Sequence, residues 1–286
     1  MTLLFFREAL KFYKLKSERL VQVLFLLVLG INLFAALQPF GDNDFSGFFR
    51  SVDELLLAVR MGRSPDWSDL YLTSGNLITL AIQGLALLFN LLLLLLYAGA
   101  YSAERIGAAG SKGAVAMLKA WPKCLVVILL LALVAGMTSF LMFIPFAVLA
   151  SGFSFSFFFF SEKKLSLGAG LSRSWRATMR RKLIITLNVI SVRFILSFLS
   201  NLLLALFAPW QGARLWLLPL ITTVTVLICG RLLGLMYVFF TRQTFTLGQG
   251  KTTLVISDVQ VLFEDELAPL PDDLFLQKKS GRQGKK

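Results

Sequence analysis

The stretch CLVVILLLALVAGMTSFLMFIPFAVLASGFSFSFFFF, residues 124–160, decides how many times this 286-residue chain crosses a membrane. It is apolar over 37 residues, whereas one helix needs about 20 apolar residues to cross hydrocarbon roughly 30 Å thick. Its length therefore fits either one unusually long crossing or two short ones. Pro145, preceded by Gly136, Thr138 and Ser139, offers a turn near the middle for two crossings.

The charges on either side of this stretch decide between the two interpretations. Cytoplasmic loops of membrane proteins collect Lys and Arg. Residues 102–123 hold four basic groups and one acidic group, and residues 161–182 hold seven basic groups and one acidic group. Both segments are therefore predicted to lie inside, so residues 124–160 must cross twice.

The same reasoning extends to the whole chain. Residues 1–19 hold five basic groups and are predicted inside, whereas residues 41–75 hold six acidic groups against three basic ones and are predicted outside. The predicted spans are residues 20–40, 77–101, 124–142, 144–160, 183–207 and 215–240. We therefore expect an all-α, polytopic six-transmembrane-helix bundle with both termini cytoplasmic.

Segments outside the spans are predicted to add amphipathic surface helices. Residues 1–19 form a basic, aromatic-bearing segment suited to the inner surface. In the acidic loop, apolar residues from Phe45 to Val59 follow helical spacing, which predicts a short helix on the outer face. Residues 241–286 change composition and read as a cytoplasmic tail with a basic end.

The composition excludes several kinds of site. The chain is 57% hydrophobic and 16% charged and has no His, which rules out imidazole metal sites and Ser-His or Cys-His nucleophile pairs. Its two cysteines, Cys124 and Cys229, lie inside apolar runs and form no redox motif. The net charge of +13 is read as loop charge and not as a nucleic-acid surface. No metal and no cofactor is predicted.

Polar side chains at membrane depth are the candidate functional residues, because each costs free energy unless partnered. In the second span they recur every seven residues on one face, which should point into the bundle; they are Gln83, Asn90, Tyr97 and Glu104. The fifth span carries a stripe of Arg193, Ser197, Ser200 and Asn201, and the sixth carries Thr222, Thr225, Cys229 and a GxxxG at Gly230 and Gly234. Interhelical hydrogen bonds and close helix packing are the structural interpretation of these stripes.

Arg193 and Arg231 leave two interpretations open. Each is eleven residues from a cytoplasmic flank, Lys182 or Arg242, so each can lie roughly 16 Å deep. Its partner would then be a bound anion, backbone carbonyls or water. Alternatively, both arginines mark the inner interface, and Glu104 pairs with one of them.

The loop LGAGLSRSWRATMRRK, residues 167–182, places basic residues around a tryptophan at near-helical spacing. The residues concerned are Arg173, Trp175, Arg176 and Arg180. An interfacial anchor at the start of the fifth span explains this arrangement. Binding of a phosphate headgroup is the alternative.

Between Tyr97 and Arg242 the order of features resembles a family of bacterial six-helix membrane proteins similar to the membrane domain fused to some glycerophosphodiester phosphodiesterases. The features are a basic segment at 112–123, a hairpin around Pro145, a charged turn at 161–164, the stretch LGAGLSRSW at 167–175 and two long helices. The resemblance covers about half the chain, and LSRSWRAT, residues 171–178, is its most specific part. The resemblance implies the six-helix fold in a bacterial cytoplasmic membrane; the phosphodiesterase domain is absent, so that activity is not implied.

Two functions remain. The first is a scaffold or accessory subunit without a catalytic site, whose partner is another membrane protein or a second copy of the chain. The second is a lipid-handling or transport protein that binds an anionic headgroup in an internal polar cavity lined by Arg193, Arg231, Asn201, Asn90 and Gln83. Membrane lipids, including anionic ones, are expected partners in either case. An enzyme is the weaker class, although a Ser-Lys or lipid-transferring site at the interface stays open.

Overall fold

The computed structural model describes residues 2–64, 71–138, 144–162, 164–179 and 181–242, and there the chain is helical without strands. Its helices are α1 (Thr2–Leu10), α2 (Glu18–Leu37), α3 (Ser46–Arg60), α4 (Ser74–Arg105), α5 (Gly110–Met137), α6 (Ile144–Phe153), α7 (Ser156–Glu162), α8 (Leu167–Ala177), α9 (Lys182–Leu206) and α10 (Gln211–Arg242). The predicted tail beyond Arg242 lies outside the described residues, as does Arg180.

Six segments among the described residues are long and apolar enough to span a membrane: α2, α4, α5, α6 with α7, α9 and α10. Helices α2 and α4 run antiparallel, since Asn32 of α2 meets Asn90 of α4 while Ala35 meets Gln83. We call the end that carries α1, α8 and the α4–α5 connection the basic end, and the end that carries α3 the acidic end. The surface helix predicted in the acidic loop is present as α3.

Helix α4 lies at the centre of the bundle and packs against α2, α5 and α10. The GxxxG of α10 makes the last of these contacts close: a Cβ on Gly230 would lie 2.9 Å from the Leu94 carbonyl, and one on Gly234 would lie 2.9 Å from the Ala98 carbonyl. Small residues at these positions let the two backbones approach. The GxxxG motif therefore packs two helices of the same chain against each other, as its structural interpretation predicted.

The fourth span is broken, because α6 ends at Phe153 and α7 begins at Ser156. A break in a span frees backbone groups that must find partners. Ser174 of α8 supplies them: its Oγ donates to the Gly152 carbonyl at 2.7 Å and accepts from the Phe155 N–H at 3.2 Å. Trp175 packs so closely on Gly152 that a Cβ there would lie 2.5 Å from its ring. The most specific segment of the resemblance thus holds the broken helix.

The bounds of α5 differ from the predicted span at residues 124–142. The helix begins at Gly110, because the basic segment before Cys124 continues without interruption into the apolar one, and Pro122 lies inside it. Residues 139–143, where the turn before Pro145 was expected, lie outside the described part of the chain. The inner 14 residues of α5 therefore extend the bundle at the basic end.

At the acidic end, polar side chains of α4 tie the loop after α2 to the bundle. Asn76 Nδ2 donates to the carbonyls of Asp42 at 3.0 Å and Asp44 at 2.9 Å, and Thr79 Oγ1 donates to the Asp42 carbonyl at 3.0 Å. Hydrogen bonds from the side chain and the backbone N–H of Ser46 hold the pKa of Asp44 below its ordinary value. These bonds position the start of α3.

We expect Ser174→Ala to destabilise the protein by about 1–3 kcal/mol, because it leaves the Phe155 N–H without its acceptor and weakens the bonding of the Gly152 carbonyl. The measurement is the thermal unfolding midpoint of the purified protein in detergent micelles. Ser172→Ala, an exposed serine of the same helix, is the matched control. Equal midpoints for the two variants would contradict the role of Ser174.

Candidate functional site

The four polar residues that recur every seven positions on α4, which we call the α4 stripe, all form hydrogen bonds with the N-terminal part of the chain. Gln83 Nε2 donates to the Ala35 carbonyl at 3.1 Å, and Asn90 Nδ2 donates to Asn32 Oδ1 at 2.8 Å. These two contacts join α4 to α2 in the half of the bundle nearer the acidic end. They are interhelical hydrogen bonds of the kind that the structural interpretation predicted.

The other two members of the stripe hold the segment that precedes α2. The Tyr97 hydroxyl donates to the Phe12 carbonyl. The Glu104 carboxylate accepts from the N–H groups of Lys16 at 2.8 Å and Ser17 at 3.0 Å, and from Ser17 Oγ at 2.6 Å. Glu104 therefore caps the start of α2, where the helix dipole favours a negative charge. The predicted pairing of Glu104 with an arginine is absent among the described residues.

Arg231 is the buried cation of this end of the bundle, with 2% of its surface exposed. Its Nε donates to the Glu8 carbonyl at 2.7 Å and its Nη1 to the Lys14 carbonyl at 2.8 Å. Its guanidinium carbon lies 4.8 Å from the centre of the Tyr101 ring, a cation–π contact. Of the three kinds of partner predicted for this arginine, the structure provides backbone carbonyls.

Because of these contacts the N-terminal segment is re-entrant: it enters the bundle from the basic end and turns back toward that end. Phe5 packs on Phe239 and Phe240 near the end of α10, whereas Glu8 and the turn that follows α1 reach Arg231, about two turns further into the bundle. The chain then returns to Glu104 before α2 begins. The predicted surface segment is thus partly buried: Phe5, Glu8 and Ala9 lie inside, whereas Tyr13, Lys14 and Lys16 are exposed. The Arg231 guanidinium and the Tyr97 hydroxyl bond its carbonyls.

A pocket of about 620 Å³ lies in the half of the bundle nearer the acidic end. It is lined by Asn32, Ala35, Ala36, Gln83, Ala86, Leu87, Asn90, Leu204, Leu215, Leu218, Pro219 and Thr222. It thus contains two of the five predicted ligand-binding residues, Gln83 and Asn90. Arg193, Arg231 and Asn201 do not line it.

The stripe of α9 faces outward and not into the bundle. Arg193, Ser197 and Asn201 are exposed, whereas Val192 and Leu196 on the adjacent face are buried. Arg193 lies near enough to Cys229 of α10 for an electrostatic interaction, but it makes no hydrogen bond or ion pair with any described residue. A cation, a hydroxyl and an amide therefore lie on one exposed line of a span-capable helix.

On α8, the predicted headgroup residues have different surroundings. Arg173 and Arg176 are exposed, and the Arg173 guanidinium lies 5.3 Å from the centre of the Phe159 ring. Trp175 is half-buried against Gly152, and the Lys182 ammonium lies over its ring. The tryptophan therefore contributes to packing, and the two arginines are free to face the surface.

The five predicted ligand-binding residues thus occupy three separate places. Arg231 bonds the N-terminal segment, Gln83 and Asn90 line the pocket, and Arg193 and Asn201 lie on the outer face of α9. Backbone carbonyls were among the predicted partners of Arg231, but the sequence did not show which carbonyls, because those of a remote segment leave no pattern in it. The role of Ser174 was missed because the break that it satisfies lies between apolar residues. One signal was present but unused: Lys112, Lys119 and Lys123 share a face of α5.

Comparison of the chain with models of protein families, with curated proteins and with solved structures finds no match in any of the three. The resemblance to the membrane domain of glycerophosphodiester phosphodiesterases therefore stays a prediction. Any function must be argued from the geometry alone.

We expect Arg231→Met to release α1, because the carbonyls of Glu8 and Lys14 then lose a charged donor, each bond being worth about 1.5–3 kcal/mol. Ala9, fully buried in the protein, reports the release when replaced by Cys in a variant that lacks Cys124 and Cys229. The rate of N-ethylmaleimide labelling should rise by at least about tenfold, the equivalent of losing one of the two bonds.

Arg193→Met is the matched control for this experiment, since it removes an arginine without a hydrogen-bond partner in the described chain. Its labelling rate at position 9 should equal that of the parent. A labelling rate in the Arg231→Met variant equal to that of the parent would mean that the guanidinium does not hold α1.

Proposed function

We propose that this chain is a multi-pass protein of a bacterial cytoplasmic membrane that acts as a scaffold or accessory subunit and binds another membrane protein along α9. The observation that carries this proposal is the exposed line of Arg193, Ser197 and Asn201. An exposed polar face on a span costs free energy in lipid unless a partner covers it. A second helix would supply that cover.

The length of α4 between two anchored residues supports a position of the bundle in which this part of α4 crosses the hydrocarbon layer. From Thr79, bonded to the acidic-end loop, to Tyr97, bonded to the N-terminal segment, α4 rises about 27 Å, close to the thickness of the hydrocarbon layer. Arg231 and Arg193 then lie at the boundary nearer the basic end. Ser197 and Asn201 lie about 6 and 12 Å deeper, within hydrocarbon.

The charges favour a different protein over a second copy as the partner. The carboxylates of the described spans are those of Glu18, Glu104 and Glu162, each in a first or last turn at the basic end. A two-fold contact of α9 with itself would place one Arg193 against another without a carboxylate between them. We therefore propose a partner helix with a carboxylate or carbonyl acceptor near Arg193 and a hydrogen-bonding side chain near Asn201.

Lipid handling is the second candidate, and the pocket that contains Gln83 and Asn90 favours it. Its volume of about 620 Å³ admits part of a lipid or a small molecule. Arg193 and Arg231 do not face this pocket, so a ligand there would be neutral and polar and not an anion. The scaffold function explains the position of Arg193 better.

The proposed orientation follows the positive-inside rule, with the basic end in the cytoplasm. In a cysteine-free variant, Asp53→Cys on α3 should react with a membrane-impermeant maleimide in intact cells, and Ser172→Cys on α8 should react only after lysis. The reverse pattern would overturn the orientation.

The proposed interface is tested by a photoreactive phenylalanine analogue at Phe194, which is 71% exposed beside the polar line. We expect a crosslink to one defined membrane protein. Arg193→Leu should weaken the crosslink about 10- to 100-fold, since a charged hydrogen bond is worth about 1.5–3 kcal/mol, and Asn201→Leu about 2- to 10-fold, since a neutral one is worth about 0.5–1.5 kcal/mol. Leu202→Ala, on an apolar exposed position of the same helix, should leave it unchanged.

The same analogue at Leu133 of α5, which is 64% exposed, controls for proximity to any membrane protein. Identical products from positions 133 and 194 would refute a specific α9 interface. A crosslinked pair of this chain with itself would refute the different-protein partner.

A further inference from the structure

A second cavity, of about 560 Å³, lies at the basic end between α5 and the segment after α7. Its lining contains four lysines, Lys112, Lys119, Lys123 and Lys164, together with Ser111, Val115, Ala116, Ala120, Phe160 and Ser161. We call it the lysine groove. Its lining contains amines and hydroxyls but no carboxylate, so it is built for an anion.

Three of these amines are unpaired. Lys123 Nζ donates to the Leu165 carbonyl at 2.8 Å, which closes one wall of the groove. Lys112, Lys119 and Lys164 make no hydrogen bond or ion pair with the part of the chain that the structure describes. Neighbouring cations repel each other unless an anion lies between them. The groove therefore gains free energy by binding one.

Lys164 brings a fourth amine to the groove from the turn after α7, which ends at Glu162. Its φ of 48° is a left-handed conformation, which costs a residue with a side chain roughly 1–2 kcal/mol. Helices commonly end with a residue in this conformation.

The face of α5 that carries the lysines continues as an apolar strip. Lys112, Lys119 and Lys123 are followed on the same side of the helix by the exposed side chains of Val126 (47%), Leu130 (43%), Leu133 (64%) and Met137 (72%). Positive groups come first, and hydrocarbon-facing groups follow toward the acidic end. This is the order in which a phospholipid presents its headgroup and acyl chains.

The depth of the groove agrees with this order. Gly99 of α4 lies against Gly113 and Met117 of α5, so Lys119 is level with the region around Tyr97. That level is the membrane boundary drawn above, where lipid phosphates lie. Basic pockets between spans at a cytoplasmic boundary bind anionic headgroups.

We propose that the lysine groove binds the headgroup of an anionic phospholipid, with the phosphate among Lys112, Lys119, Lys123 and Lys164 and an acyl chain along Val126, Leu130 and Leu133. This site is separate from the outer face of α9 and does not depend on a protein partner there. The lipid is identified by its chemistry: one phosphate-bearing, negatively charged head and apolar chains.

The test uses the purified full chain in detergent micelles with phosphatidylglycerol that carries a photoreactive diazirine in one acyl chain. We expect the crosslinks to map by mass spectrometry to α5 between Val126 and Met137. Phosphatidylcholine with the same photoreactive chain should label these residues at least about tenfold less, because its headgroup has no net charge. Equal labelling by the two lipids, or labelling elsewhere only, would overturn the site.

Lys119→Gln with Lys123→Gln should lower the labelling by phosphatidylglycerol about 25-fold, at roughly fivefold for each cation. Lys14→Gln with Lys16→Gln, which removes two exposed cations from the same end, is the matched control and should leave the labelling unchanged. Lys119→Arg with Lys123→Arg should retain it, which shows that the charge and not the fold is tested. An equal loss in the control would mean attraction by surface charge alone and would refute the groove.

A competition experiment distinguishes a lipid from a free anion. Inorganic phosphate should compete far less well than unlabelled phosphatidylglycerol, because it gains nothing from the apolar strip of α5. Equal competition by the two would assign the groove to free phosphate and overturn the lipid.

Discussion

A buried guanidinium must have acceptors, and at Arg231 this requirement shapes the basic end of the molecule. Among the described residues Arg231 forms no ion pair with a carboxylate, and its partners are the carbonyls of Glu8 and Lys14 and the ring of Tyr101. Both carbonyls belong to the N-terminal segment, which therefore packs against α10 and α4. Tyr97 and Glu104 then bond the returning chain, which sets the point where α2 begins.

The two polar stripes of the bundle differ in where their partners lie. Every member of the α4 stripe bonds another part of the same chain, so this stripe contributes to folding. The exposed members of the α9 stripe, Arg193, Ser197 and Asn201, have no such bonds within the described residues. Similar spacing thus has two different consequences, because α4 lies at the centre of the bundle and α9 lies at its edge. The α9 stripe is therefore the one available for binding.

The basic residues likewise divide by what surrounds them. Arg231 is buried and forms its hydrogen bonds within the bundle, and Arg181 donates to the Phe240 carbonyl at the end of α10. The lysines of α5 have exposed apolar neighbours further along the same side of the helix and line an open groove. A positive-inside charge pattern thus includes cations that hold helices together and cations that face outward toward lipid or a partner. Their number alone does not separate these roles.

The sequence by itself determined the helical class, the six span-capable segments, the surface helix in the acidic loop and the inward face of α4. Each of these follows from local apolar runs, charge counts or helical periodicity, which the chain carries within a few turns. Only the tertiary structure decided the rest: the break between α6 and α7, the re-entrant N-terminal segment, the outward direction of the α9 stripe and the lysine groove. The outward stripe and the groove follow from how the helices pack side by side, whereas the break and the N-terminal segment depend on contacts between residues far apart in the chain, Ser174 with Gly152 and Arg231 with Glu8. Their acceptors are backbone carbonyls, which every residue has, so no residue type marks them in the sequence.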